Sequence, residues 1–521
     1  MNEKSLSIAK FVLMGLSGIT LGVYLDVAFS RVAYPFAVEW VEANVFLQVV
    51  RVLEGKSLYV PPSWEFVPTI YPPFYYYVAA IFARATNQVM FAMRLVSLLA
   101  SMWTFVMIYV LCRLRKITRE LSIGAVGLYA ASYAVTGYWF DVGRVDSLFI
   151  ALTLTGYVLA IIRTKRESIV GTLAGFVFFL AFATKQSALA AIPFALLYIL
   201  LERRWMKALW LGISAGISCG LFFVSMNILS KGWFALYTSS IPSAHPVSWE
   251  MVIHNFWTLY IFPKFPWLLI IIILALCLLL GKQDKNTFFN YVIFIFTFFL
   301  PLAIMSVASM AKQWGYINGL IPIAAALSVL GAEAYQQITA PFATPPGSPR
   351  RWAFKSFYTA ASIAASIMML MQFNNLRYDF RTQIPSQASL EAGYRILDIL
   401  RNSQGPVYIP AAPYLLYMVH QPTHFQMSSL GDISLAVQYD PRLKQVAEGY
   451  TSKISEYISS HSIRTAILPN SKRREKVFNS ENGYRCESLI ADHPPLITVT
   501  GATSYLDQIC FLDDEQDHST D

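Results

Sequence analysis

The sequence predicts a multi-pass α-helical membrane protein with a soluble α/β unit at its C-terminus, and three observations carry that prediction. Of 521 residues, 56% are hydrophobic and only 14% charged, against about 25% charged in a typical soluble protein. Apolar runs of roughly twenty residues, the length needed to cross a hydrocarbon core of about 30 Å, recur as far as residue 373. The lysines and arginines fall in alternate loops between those runs, which is the pattern that sets orientation in a bilayer. The net charge of +9 is therefore topological, and nucleic-acid binding is excluded.

Taken in order, the runs give about eleven spans: 9–30, 88–112, 121–139, 145–163, 168–184, 186–201, 207–229, 266–281, 287–310, 315–335 and 353–373. The first is too long for a signal-peptide core and lacks a small-residue cleavage site, so it is read as retained. Basic clusters sit at Lys4/Lys10, Arg113–Arg119, Arg163–Arg166, Arg203–Lys207, Lys282/Lys285 and Arg350–Lys355. All six fall on one side of an eleven-span chain, which places the N-terminus in the cytoplasm and everything after Asn374 outside. The division expected is a transmembrane domain over 1–373 with a first outer loop at 31–87, an extracytoplasmic α/β domain over 374–510, and an acidic disordered tail over 511–521. The least secure point is 168–201, where two spans meet at Lys185 with almost no loop; a single broken span there would reverse the C-terminus.

Within the tail, the short apolar runs Val407–Ile409, Thr465–Leu468, Leu496–Thr500 and Ile509–Leu512 read as strands. Leu390–Leu400 and Ile433–Val446 have helical periodicity. The segment Thr339–Arg351, rich in proline, glycine and serine, reads as a connector, and Gly212, Gly216 and Gly220 form a GxxxGxxxG ridge suited to helix packing. Five scattered cysteines offer no metal cluster. A disulfide between Cys486 and Cys510 is open, and requires the tail to face an oxidising compartment.

The chemistry-bearing residues collect at one membrane face. Glu39 and Glu42 stand three apart just beyond the first span, a spacing that puts both acids on one side of a helix. An amphipathic segment, Asn44–Leu53, and a proline-aromatic stretch, Tyr71–Tyr77, follow. Ionisable groups in or beside spans cost about 2.5 to 3.5 kcal/mol each on insertion scales and are functional candidates by default. Arg94, Asp141, Arg144, Asp146, Lys185 and Lys312 all lie at outer span ends. Such cations suit an anionic lipid head group, and such carboxylates suit proton removal from a hydroxyl. Mutual pairing, for example Asp141 with Arg144, is the plainer use of any single one. The aromatic residues of the outer loops serve equally as an interfacial belt.

The ordered series EWVEANVF, RVLEGKSLYV, YPPFYYY, FAMRLVS, GRVDSLFIAL, FATKQSAL and AKQWGYING resembles the GT-C type membrane glycosyltransferases, in particular bacterial relatives of protein O-mannosyltransferases and aminoarabinose transferases. The resemblance extends from about residue 9 to 335. It implies an inverting enzyme of the cell (inner) membrane that moves a sugar from a polyprenyl-phosphate carrier to a glycan, lipid or protein acceptor on the outer side. It also implies a catalytic carboxylate in the first outer loop. Glu42 matches the glutamate of the family's acidic pair, while Val41 stands where the aspartate would be; the base is thus Glu39 as first choice or Glu42 as second. By the same resemblance Arg94 lies near the lipid phosphate, Asp141–Asp146 is similar to a second acidic outer-loop motif, and Lys185 and Lys312 fall in similar contexts. Their charge suits Arg94, Arg144, Lys185 and Lys312 to the donor phosphate, and Asp141, Asp146 and Tyr71 are candidate substrate contacts. No metal or cofactor is expected. A transporter or flippase of a lipid-linked sugar is the competing reading, although no repeat between halves supports one.

Overall fold

The computed structural model describes residues 3–281, 285–340, 351–444, 446, 456–457, 460, 462–469 and 478–513. Most of the connector after Ala340 and the acidic tail beyond Asp513 lie outside the described residues, as do Lys282 and Arg350. The membrane part opens with α1 (Glu3–Val32), α2 (Glu42–Leu53), α3 (Phe74–Thr86), α4 (Val89–Leu114) and α5 (Arg119–Ala131). It continues with α6 (Val145–Ile161), α7 (Glu167–Thr184), α8 (Ala191–Leu201), α9 (Trp205–Leu229) and α10 (Pro266–Gly281). It closes with α11 (Lys285–Met310), α12 (Ile321–Thr339) and α13 (Arg351–Asn375).

Each predicted run is helical for most of its length, because a backbone in lipid must satisfy its own hydrogen bonds. Among the described residues seven helices are long and apolar enough to cross a membrane singly. An eighth span arises if α10 and the segment before it, bent by 80° at their junction, are one. Of the other three runs, Gln186–Leu201 keeps its expected bounds, while α5 and α6 end before the runs 121–139 and 145–163 do. Helix α5 stops at Ala131, about 20 Å of rise, and the remainder of the apolar run folds into a buried loop in which Gly137 and Tyr138 take left-handed backbone angles. That loop carries Asp141 and Arg144.

Between α7 and α8 the chain reverses. The start of α7 and the end of α8 lie at one level: Arg204 pairs with Glu167 at 2.8 Å and Arg163 pairs with Glu202. The break at Lys185 is therefore a turn between two antiparallel helices, bridged by a 3-10 segment, Gln186–Ala190. The same ion pairs gather two basic clusters at the end of the bundle remote from Glu39. Among the described residues the expected glycine ridge of α9 meets a neighbour at Gly212, against Leu196 of α8, and not at its other two positions. A Cβ at Gly216 or Gly220 would meet nothing, whereas one at Gly171 or Gly175 of α7 would strike the α9 backbone at 2.6 and 2.5 Å. The face α9 presents is Ala208, Leu211 and Ala215, rotated from its glycines, and the small residues are on the partner.

The C-terminal unit has α14 (Gln387–Asn402), capped by Ser386, and α15 (Met427–Tyr439). Helix α15 starts earlier than its periodicity suggested and ends at Asp440, which precedes Pro441. Its sheet has β1 (Val407–Tyr408), β2 (Thr465–Pro469), β3 (Tyr484–Ser488) and β4 (Leu506–Leu512) in the order β1-β2-β4-β3. Only β1–β2 is parallel. Leu496–Thr500, read as a strand, instead leaves the sheet and runs to Glu39; Tyr484–Ser488, unforeseen, takes the edge. Cys486 and Cys510 face each other across β3 and β4 and are joined by a disulfide. In membranes prepared without reductant, alkylation of the unfolded chain should label three cysteines, Cys112, Cys219 and Cys277. All five should label after reduction; five labels before it would place the unit in a reducing compartment.

The unit sits on the end of the bundle that carries the 33–73 loop. The Tyr414 hydroxyl accepts from the Ala37 amide at 2.9 Å, Gln426 donates to the Trp40 carbonyl at 3.2 Å, and Trp64 stacks on Tyr408 at 5.6 Å.

Candidate active site

Four buried ion pairs form the floor between bundle and C-terminal unit. Glu42, the first residue of α2, is fully enclosed. Its two oxygens accept from Arg94 Nε at 2.8 Å, Arg94 Nη2 at 2.7 Å, the Gly143 amide at 2.8 Å and the Val38 amide at 2.9 Å. Gly143 is required there, since a Cβ would lie 2.9 Å from the Glu42 carboxylate and 2.8 Å from Met93. Burial alone would raise the Glu42 carboxyl, but Arg94 and the two amides hold it below the ordinary range. Arg94 is equally saturated. Beyond Glu42 it donates to the carbonyls of Arg31, Tyr34 and Phe36, which uses all five guanidinium N–H groups.

Glu39, in the loop before α2, is different. Its Oε2 accepts from the Val41 amide at 3.0 Å and from Arg144 Nη1 at 3.2 Å, while its Oε1 is buried with no protein partner. Burial raises its carboxyl to about 7, with Arg144 pulling the other way. Arg144 lies over the Trp139 ring at 4.5 Å, and Trp139 stacks on Tyr316 at 5.3 Å. Two residues on, Asp146 accepts from Lys185 Nζ at 2.7 Å and Asn318 Nδ2 at 3.0 Å. Lys185 in turn stands over the rings of Tyr71 and Phe149 at 5.7 and 5.6 Å.

The remaining two residues depart from expectation. Asp141 pairs with Arg31 at 3.5 Å and accepts from the Tyr133 hydroxyl; it does not pair with Arg144, whose side chain turns toward Glu39. Lys312 is held by another segment, donating to the Pro242 carbonyl at 2.7 Å and pairing its backbone with Val247. Among the described residues it has no carboxylate partner.

Arg31 and Asn318 were missed by the sequence reading. Arg31 sits one residue past the predicted end of the first span and carried a signal, a cation beside the outer acids. Asn318, neutral, carried none. The Arg31 backbone carbonyl links Asp141's partner to Arg94, so Asp141, Arg31, Arg94, Glu42, Gly143, Arg144 and Glu39 form one continuous network.

Around it Glu39 Oε1, Trp139 Nε1, Asp141 Oδ2, Arg144 Nε, Asp146 Oδ2 and Gln186 Oε1 are buried without protein partners. Leaving such a group unpaired costs about 1–3 kcal/mol, so a concentration of them marks where a polar ligand belongs. Acceptors and donors side by side suit hydroxyl groups, which are both. Within the four pairs carboxylates and cations balance, and a fifth acid, Asp432 of α15, lies close enough to Arg144 to feel its charge. Among the described residues no three metal-ligating side chains gather to hold an ion.

Residues 71–229 match the family model described as dolichyl-phosphate-mannose-protein mannosyltransferase. The fold is similar to the crystal structure of ArnT from Cupriavidus metallidurans bound to undecaprenyl phosphate. That likeness has 11% identity and a TM-score of 0.56, covering 95% of this chain and 98% of that one. The apo state of the same protein gives 11% and 0.55 over the same shares. The oligosaccharyltransferase AglB from Archaeoglobus fulgidus, in complex with an inhibitory peptide and a dolichol-phosphate, is 12% identical over 86% of this chain and 69% of that one, with a TM-score of 0.46. No curated protein matches the chain by sequence.

Proposed function

We propose that this chain, which has the GT-C fold of ArnT and a segment matching the protein mannosyltransferases, is a membrane glycosyltransferase that uses a polyprenyl-phosphate sugar donor. The observation that carries the reading is the contrast between its two loop carboxylates. Glu42 is consumed by four hydrogen bonds, whereas Glu39 keeps one oxygen free beside a guanidinium, as a base awaiting a hydroxyl must. In the reaction the acceptor oxygen bonds to the anomeric carbon as the bond from that carbon to the phosphate oxygen breaks. The electron pair leaves on the phosphate and the hydroxyl proton passes to Glu39 Oε1. A single displacement of this kind inverts the anomeric centre.

Arg144 through its unpartnered Nε, and Lys185, are the phosphate contacts this geometry supports best, with Lys312 at the rim; cations aimed at a leaving phosphate gain strength where water is excluded. Arg94, with no N–H to spare, acts as a clamp instead. Asp146, Trp139 and Gln186 supply hydroxyl partners for the sugar, and Tyr71 orders Lys185. The undecaprenyl phosphate bound to the structural neighbour supports the donor class. The sugar is a hexose or pentose, and the acceptor a glycan, lipid or protein. The disulfide in the C-terminal unit and the basic clusters at the opposite end support a cytoplasmic N-terminus and an outward-facing site in the cell membrane.

The test is transfer by purified enzyme in proteoliposomes with labelled polyprenyl-phosphate sugar. Lys185→Met should raise the donor KM roughly tenfold, the equivalent of about 1.4 kcal/mol, while acceptor KM holds. Uptake of the labelled lipid across the bilayer without transfer would replace the enzyme by a flippase.

A further inference from the structure

A turn of the C-terminal unit lies directly on the Glu39 carboxylate. The turn is closed at its base, where Ile497 pairs with Tyr505 and the Thr498 and Ser504 backbones are bonded at 3.0 Å. At its tip the Val499 and Thr500 amides donate to the Val38 carbonyl at 3.1 and 3.0 Å, and Thr500 pairs with Glu39 along the chain. Thr500 Oγ1 donates to the Gly137 carbonyl at 2.6 Å, which ties the turn to the loop that carries Arg144. Gly501 then passes over the acid with φ at +77°. A Cβ on it would lie 3.1 Å from Glu39 Cγ, 3.2 Å from the unpartnered Oε1 and 3.2 Å from Trp40.

We infer that this turn is a working part of the carboxylate site, in which Thr500 and Gly501 are positioning residues that fix the orientation of Glu39 toward Arg144. Three contacts converge on that assignment. The Val38 carbonyl is gripped immediately before the acid, the Thr500 hydroxyl sets the height of the turn over Gly137, and the bare Gly501 backbone closes the space into which Glu39 would otherwise swing. The C-terminal unit therefore completes the catalytic centre in addition to any part it has in acceptor choice. The inference rests on the glycosyltransferase reading and on Glu39 as its base.

The experiment uses full-length enzyme in proteoliposomes with labelled polyprenyl-phosphate sugar. Gly501→Ala should lower kcat about 10- to 100-fold, the scale of a misplaced catalytic group, with donor KM at the wild-type value. Its rising pH limb should move upward as the acid is pushed off Arg144. Thr500→Val should also lose kcat, and Thr500→Ser, which keeps the hydroxyl, should retain it. If Gly501→Ala fails to fold, the Thr500 pair decides. Wild-type kcat and pH profile in both Gly501→Ala and Thr500→Val overturn the inference and leave the turn as a simple docking contact. No transfer by the wild-type enzyme overturns the function proposed above, and the role of the turn with it.

Discussion

Glu39→Gln is expected to reduce sugar transfer by about 10² to 10⁴-fold, the range attributable to a positioned general base, while binding of the polyprenyl-phosphate donor is kept. The amide has the same shape as the carboxylate, and its oxygen can still accept from Arg144 and the Val41 amide, so the floor of the site should stand. What it cannot do is take up a proton. The wild-type rate carries a second signature. Burial raises the Glu39 carboxyl to about 7 against the pull of Arg144, and the other charged or titratable groups around it are Glu42 and Tyr316. The base is the ionised form, so kcat/KM should rise as pH increases through about 7. Burial also raises Asp432, which feels the Arg144 charge, to about 7, so the limb is assigned to Glu39 only if Asp432→Asn keeps it. Were Glu42 the base, held low by Arg94, Glu39 would contribute no limb there.

Stability moves the opposite way. An acid whose folded-state value is raised favours folding most fully below its unfolded value, and that contribution is lost as pH climbs through about 7. Glu39→Gln has nothing to lose in that window, and should be at least as resistant to thermal unfolding as wild type at pH 8. An inactive, undamaged variant identifies the base; full transfer by Glu39→Gln removes it from that role.

Hydrocarbon explains why so much of the fold could be read directly. It compels helices, it demands apolar side chains along them, and basic residues collect at their ends, so the runs and the reversal points are written in composition. Where the signal gave out, composition had stopped deciding. Asp141 chose Arg31 over the Arg144 three residues away because the buried loop after α5 turns the two side chains apart. Arg94 and Arg144 look alike as cations at outer span ends, yet one has all five N–H groups engaged and the other keeps Nε free. Leu496–Thr500 has a strand's residues and an apolar run's length, but its amides are spent on Ser389, on Ser504 across its own turn and on Val38. No periodicity could announce that. The GxxxGxxxG ridge shows the converse, a recognisable pattern on a face that helix α7 does not use.

Arg94→Ala is expected to cost the fold first and the donor second. The substitution leaves the Glu42 carboxylate at 0% exposure without its cation, and breaking a buried pair from one side is worth about 3–5 kcal/mol. It also strips donors from the carbonyls of Arg31, Tyr34 and Phe36, which shape the turn from α1 to Glu39. The loss should appear as a lowered thermal midpoint in detergent, or as failure to recover folded protein. Arg94→Lys should not restore it, since an ammonium has three donors on one atom and cannot span five acceptors. Arg144→Met, by contrast, removes one bond and a ring contact and leaves behind an acid that burial already pushes toward its neutral form. It should therefore lower the thermal midpoint less than Arg94→Ala while weakening donor binding. The two arginines are thus separated by what fails. A stable, folded Arg94→Ala enzyme with a raised donor KM would return Arg94 to the phosphate and dissolve the clamp on which the placing of both glutamates depends.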